Sequence, residues 1–199
     1  MIKLLISDLD DTLYDWTGFF VPAFYAMADE IARMTGIDEK KLLNEYMAAH
    51  QRLGSVEYPY ATLELPSIKA YYNNAPAEEM KAALRPAFNV FNSVRESHLH
   101  LLPGVEEMLR ALTEMGVTLI AYTESSKENG FYRLMKLGIE PYFKHVYTFE
   151  SQFKSAYAVS EKVRTVQTKK PDIAVIGRIC AGEDYDQSEV MYLGDNLTK

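Results

Sequence analysis

The chain has little of what staples or metallates small proteins: one cysteine, Cys180, and four histidines in 199 residues. A lone thiol cannot form an intrachain disulfide, and no Cys/His spacing that holds zinc is present. His98 and His100 flank Leu99 with no third ligand beside them, so they read as part of a hinge rather than a metal site. Basic blocks are missing too. Lys and Arg total 21 against 28 Asp and Glu, for a net charge of −7, which argues against nucleic acid as a partner. No apolar run approaches the roughly 18 residues of a membrane span. Met1 leads straight into an apolar stretch without the charged and long apolar regions of a secretory signal, so the expected location is cytoplasmic. Repeats and low-complexity tracts are also absent.

What the chain does have is a 48% hydrophobic composition, enough for one sizeable core or for a core with a smaller inserted domain. The most informative stretch is Ile2 to Leu13, IKLLISDLDDTL, where an apolar run gives way to Asp8, Asp10 and Asp11 and then to Thr12. Such a run suits a strand covered on both faces, and open parallel sheets bind ligands beyond their strand ends. Asp8 and Asp10 are two apart, so an extended backbone points both carboxylates to one side. Two crowded carboxylates repel; a divalent cation or a proton kept on one of them relieves this.

Beyond Leu13 the pattern becomes helical. Trp16 to Thr35 repeats its apolar residues at helical spacing before Gly36. Asp38 caps a second expected helix that runs to about Leu53 and stops at Gly54. Residues 55–67 read as a loop, and helical patterns return at Ile68 to Asn73 and Ala77 to Val94. From Leu101 onward helix and strand alternate. A helix is expected to Met115, a strand over VTLIAY ending at Thr123, a helix to Leu137, and a third strand over His145 to Thr148. Helices are expected over 155–167 and 173–180, interrupted at Lys169, Lys170 and Pro171. A loop over AGEDYDQSE follows, then a fourth strand, VMYLGD, ending in Asp195. The fold class is therefore α/β: a Rossmann-like parallel sheet core at 1–14 and 99–199, with an all-helical insert at 15–98.

The strand ends carry, in order, Asp8/Asp10, Thr123, Lys170 and Asp195. This ordered set, with D-x-D-x-T at Asp8, Asp10 and Thr12 and the phrase LLPGVEEMLRALTEMGVTLIAYTES, resembles the haloacid dehalogenase-like hydrolase superfamily across essentially the whole chain. The resemblance implies that the helical insert is a cap closing over the site and selecting the leaving group. It also implies a Mg²⁺-dependent phosphatase acting on a small phosphorylated metabolite. Asp8 is then the nucleophile that forms an aspartyl-phosphate. Asp10 is the acid and base, its main-chain carbonyl helping to hold Mg²⁺. Thr123 and Lys170 bind the phosphate, with Lys169 as the neighbouring alternative, and Asp195 binds Mg²⁺ together with Asp8. Asp11 and Thr12 fix the turn. Tyr58, Tyr60, Tyr71, Tyr72 and Trp16 line a substrate pocket or simply pack, and Cys180 is structural.

One departure from the family pattern stands out. GDNLTK ends at Lys199 without the further acid of the last motif, and the last core strand and closing helices expected after it are missing. The expectation is a truncated chain with one sheet edge open to self-association into a homo-oligomer. Three other readings remain: an impaired member that acts by binding or association, a phosphomutase of the same family, and a phosphoacceptor receiver domain. The long insert after the first strand fits the receiver domain badly.

Overall fold

The computed structural model describes residues 1–58, 60–150 and 160–195. The chain packs as two compact units, one formed by Met1–Trp16 with Leu99–Lys199 and the other by Thr17–His98.

The first unit is built on a five-stranded sheet. Its strands are β1 (Leu4–Ser7), β2 (Thr118–Ser126), β3 (His145–Phe149), β4 (Val163–Val166) and β5 (Val190–Leu193), in the order β4-β3-β2-β1-β5. Every pairing is parallel, with Ser7 level with Ala121 on one side and Leu193 on the other. From β1 the chain steps outward through β2, β3 and β4, then crosses back to lay β5 on the opposite side of β1. The strand order therefore reverses at β1, and the carboxyl end of β1 opens at the crevice where such sheets hold ligands. All four residues of β1 are buried, as its apolar run requires.

Alternation along the strands divides the core. Leu4, Ile6, Ile120 and Tyr122 cluster with Val175, Ile179 and Cys180 of helix α8 (Ile173–Gly182), where Cys180 serves as a small apolar residue. The other side chains of β2 turn away from that cluster, and helices α6 (Val105–Glu114) and α7 (Lys127–Lys136) pack against β2. The outer side of β5 carries no partner strand among the described residues.

The helix expected over 155–167 is corrected where it can be seen: Val163–Val166 is the edge strand β4, so the sheet has five strands and not four. Two β-branched valines and a threonine favour a strand, and residues 164 and 165 are exposed, leaving a pattern too short to separate from a helical one. Residues 155–159 lie outside the described residues, as do Asn196 to Lys199 and anything expected to follow Asp195. The loop expected over 181–189 is shortened by the end of α8 and by a 3₁₀ turn at Gln187–Glu189.

The second unit is helical throughout its regular structure: α1 (Trp16–Thr35), which begins at the last residue of the first unit, α2 (Glu39–Leu53), α3 (Pro66–Tyr71), α4 (Ala77–Ala83) and α5 (Arg85–His98), with a 3₁₀ turn at Ala61–Glu64 inside the expected loop. Asp38 caps α2 by accepting the Lys41 N–H at 2.9 Å, and Gly54 ends it at φ 69°. The single helix expected over Ala77 to Val94 is two helices, with Pro86 near the start of α5, where a missing N–H costs nothing. Met27, Ile31, Leu42, Tyr46, Leu65 and Leu84 are among the core residues, and the buried hydroxyls of Tyr46 and Thr62 satisfy each other.

Candidate active site

The turn after β1 delivers two carboxylates into different surroundings. Asp8 is 5% exposed, and its Oδ1 lies 2.6 Å from the Lys170 ammonium and 2.7 Å from the Leu9 N–H that donates to it. Among the described residues its Oδ2 carries no hydrogen bond or ion pair. Burial pushes the Asp8 carboxyl above the usual aspartate range by more than Lys170 and the Leu9 N–H draw it down, and the charge of Asp10 adds to the rise.

Lys170 reaches Asp8 because its segment is pinned. Its main-chain N–H donates to Glu124 Oε1 at 2.8 Å, and two residues on Asp172 caps α8 while accepting the Thr168 hydroxyl. The ammonium sits 5.0 Å from the centre of the Tyr122 ring, a cation–π contact with a phenol that burial pushes up to about 12. Lys169, the alternative, instead lies over Phe149 at 5.7 Å.

Asp10 is gripped from three directions. Its Oδ1 accepts from the Tyr14 hydroxyl at 2.7 Å and from Arg133 Nη1 at 2.8 Å; its Oδ2 accepts from the hydroxyls of Ser125 at 2.8 Å and Thr123 at 3.1 Å. Tyr14 is fully buried, and burial, reinforced by the Asp10 charge, raises its hydroxyl well above the usual range. Thr123 is fixed in turn, because its oxygen also accepts the Ser125 N–H at 3.0 Å.

Folding thus gathers four of the five expected residues, Asp8, Asp10, Thr123 and Lys170, at one end of the sheet. Each of the two crowded carboxylates has a protein cation beside it, Lys170 for Asp8 and Arg133 for Asp10. The expected metal set of Asp8, Asp10 and Asp195 takes Asp10 through its main-chain carbonyl and not its carboxylate. Among the described residues no three Asp, Glu, His or Cys side chains gather closely enough to hold a metal, because the Asp10 carboxylate is turned to Arg133 and Tyr14 and Asp195 is exposed. The oxygens that would hold a cation are Asp8 Oδ2, the Asp10 carbonyl and the Asp195 carboxylate. Asp8 and Asp195 follow adjacent strand ends, tied by the Asp8 N–H donating to the Leu193 carbonyl at 2.8 Å. This hard, sparse donor set fits Mg²⁺, which keeps several waters of its own.

Sequence reasoning missed Tyr14, Glu124, Ser125 and Arg133. Arg133 is 4% exposed on α7, in line with Gly130 and Leu134, the other buried residues of that helix. Gly130 is where α7 meets β2: a Cβ there lies 3.1 Å from the Thr123 methyl and 3.6 Å from Ser125 Cβ. Thr123 cannot swing aside without giving up its two hydrogen bonds. Gly130→Ala is therefore expected to destabilise the fold by about 1 kcal/mol through overpacking, although alanine is the better helix former. Urea unfolding checks this; a stabilised variant would mean that the helix stands off the strand.

Residues 5–198 match the haloacid dehalogenase-like hydrolase family. The chain therefore belongs to that family and is an enzyme of the hydrolase class. It is similar to a glyceraldehyde 3-phosphate phosphatase from Pyrococcus abyssi, 25% identical over 99% of this chain and 74% of that protein. A second such phosphatase, from Methanopyrus kandleri, is 27% identical over all of this chain and 78% of its own length. Among solved structures, a 2-haloacid dehalogenase from Pseudomonas syringae superposes with a TM-score of 0.61 at 23% identity, covering 96% of this chain and 77% of that one. A haloacid dehalogenase superfamily hydrolase from Geobacter sulfurreducens gives 0.55 at 18% identity, covering 99% and 80%. At these identities the superpositions speak for the fold. Among the described residues no helix is long and apolar enough to cross a membrane.

Proposed function

We propose that the chain is a Mg²⁺-dependent phosphatase that hydrolyses a small phosphate monoester through an aspartyl-phosphate on Asp8. The observation that carries the proposal is the 2.6 Å ion pair between Asp8 and Lys170, which sets a buried carboxylate beside a cation at the strand-order reversal. Asp8 attacks phosphorus, the ester P–O bond breaks, and Asp10 gives the leaving oxygen a proton. Water then attacks the phosphorus of the acyl phosphate, passing a proton to Asp10 and releasing phosphate and the Asp8 carboxylate. Lys170 offsets the charge of the transferring group, and the Thr123 hydroxyl turns from Asp10 to a phosphate oxygen. Bound Mg²⁺, held by Asp8, the Asp10 carbonyl and Asp195, would supply further charge neutralisation at the phosphoryl oxygens.

The helical unit at Thr17–His98 is proposed as the cap that selects the leaving group, and the cytoplasm as the setting. Both curated relatives are named for glyceraldehyde 3-phosphate, so a phosphorylated three-carbon aldehyde heads the substrate panel. Asp10 favours phosphate transfer over dehalogenation, since two acids suit a reaction that both donates and accepts a proton. The test is phosphate release from glyceraldehyde 3-phosphate and from an aryl phosphate, with Mg²⁺ and with chelator. Turnover that the chelator abolishes is expected. No release from any phosphate monoester, or release indifferent to chelator, counts against the proposal.

A further inference from the structure

We infer that Arg133 is a positioning residue for this reaction: from α7 it holds the Asp10 carboxylate in one orientation at the end of the sheet. The inference deepens the proposed function and rests on Asp10 being the acid and base there. An arginine only 4% exposed must have a partner, since a guanidinium taken out of water without one is very costly. Arg133 spends Nη1 on two acceptors at once, Asp10 Oδ1 at 2.8 Å and Ser125 Oγ at 2.9 Å. The Ser125 hydroxyl in turn donates to Asp10 Oδ2 at 2.8 Å. The guanidinium, the serine hydroxyl and the carboxylate therefore close a ring of hydrogen bonds that leaves the carboxylate plane little freedom.

A separate feature of α7 makes this reach available. Gly130 and Arg133 are one turn apart on its buried side, and Gly130 lets the helix lie so close to Thr123 that a Cβ there would sit 3.1 Å from its methyl. The close approach sets the helix against the end of β2. One turn later, the arginine extends past Ser125 to the turn after β1. Tyr14 completes the hold, donating to Asp10 Oδ1 from the far end of the same turn. A buried ion pair of this kind is weak evidence for added stability. Its consequence here is geometric: Asp10 is oriented by three elements, and among the described residues Arg133 is the only charged group of its four donors.

The test combines a stability cycle with kinetics. Arg133→Ala and Asp10→Asn, singly and together, are unfolded in urea without metal or substrate. Arg133→Ala is expected to lower the midpoint in the Asp10 background by roughly twice its effect, or more, in the Asp10→Asn background, because the pair couples. Equal shifts in the two backgrounds overturn the inference. In turnover of an aryl phosphate, Arg133→Ala is expected to lose about 100-fold in kcat with KM within about threefold, since the loss is one of orientation and not of binding. Guanidinium ion in solution, or Arg133→Lys, is expected to restore about tenfold of that loss. Unchanged kcat, or a loss carried by KM alone, also overturns it. If Arg133→Ala does not fold, Arg133→Gln, which keeps most of the bulk and loses the charge, replaces it in both arms with the same order of shifts. A wild-type chain that turns over no phosphate monoester defeats the proposed function, while the unfolding cycle still decides whether Arg133 holds Asp10.

Discussion

Asp8→Asn is expected to remove turnover of an aryl phosphate by about 10⁴-fold or more, at saturating Mg²⁺ and substrate. The amide is nearly isosteric, so it still fits beside Leu9 and Lys170 while losing the charged oxygen that attacks phosphorus. The expected loss is much larger than for any residue that only orients or neutralises, because no other described group at the site pairs burial with a carboxylate oxygen free of protein donors. Steady-state kinetics checks it. Residual activity within tenfold of wild type would contradict the assignment of the nucleophile.

Lys170→Met carries the second large effect, and it appears in stability as well as rate. The side chains of the Lys170–Asp8 pair are 3% and 8% exposed, so deleting the cation strands a buried carboxylate, at a cost of about 3 kcal/mol near neutral pH. Turnover is expected to fall about 10³-fold, as for loss of a preorganised charge at a phosphoryl group. The pH dependence gives the cause. Burial already raises the Asp8 carboxyl above its unfolded value, and Lys170 is the main influence opposing it, so the variant raises it further. A raised carboxyl binds protons in the native state that the unfolded chain has released. Its penalty is therefore in force above the folded value and is relieved as pH falls through that value toward the unfolded value of about 3.8. The stability deficit of Lys170→Met relative to wild type is expected to shrink on acidification. Urea curves from neutral to acid pH read this directly, and a deficit constant with pH would mean that the lost contact is packing alone.

Much of the fold could be read from local chemistry. The apolar run before Asp8, the glycines that follow Trp16–Thr35 and Glu39–Leu53, and the Asp38 cap each follow from one physical rule, and Trp16–Thr35 and His145–Phe149 form close to where the pattern put them. The failures also have physical causes. Val163–Val166 is a four-residue edge strand with half its side chains in water, so neither periodicity dominates. Between Ala83 and Arg85 the apolar spacing continues while the backbone turns, and spacing cannot report a turn.

The site divides in the same way. Asp8, Asp10, Thr123 and Lys170 stand at strand ends or beside a proline, where sequence marks them. Choosing Lys170 over Lys169 needed the Glu124 hydrogen bond to its main chain, which joins residues far apart in the chain. Arg133 had no such mark. In KENGFYRLMK an arginine three residues from a lysine reads as solvated helix surface, and only Gly130 and Leu134, sharing its buried side, give a faint sign of its inward turn. The carboxylate pair invited a metal or a proton as its remedy. The two cations that pair with it come from later in the chain, and only the folded geometry matches each to its acid.

If the phosphoryl group passes to Asp8, the acyl phosphate can be trapped there. Turnover of a phosphate monoester, quenched in acid and reduced with borohydride, converts a phosphorylated aspartate to homoserine, which peptide mass spectrometry locates. Conversion at position 8, dependent on substrate and absent from Asp8→Asn, is the expected result. Continued turnover with no conversion at position 8, or conversion at another carboxylate, would contradict it.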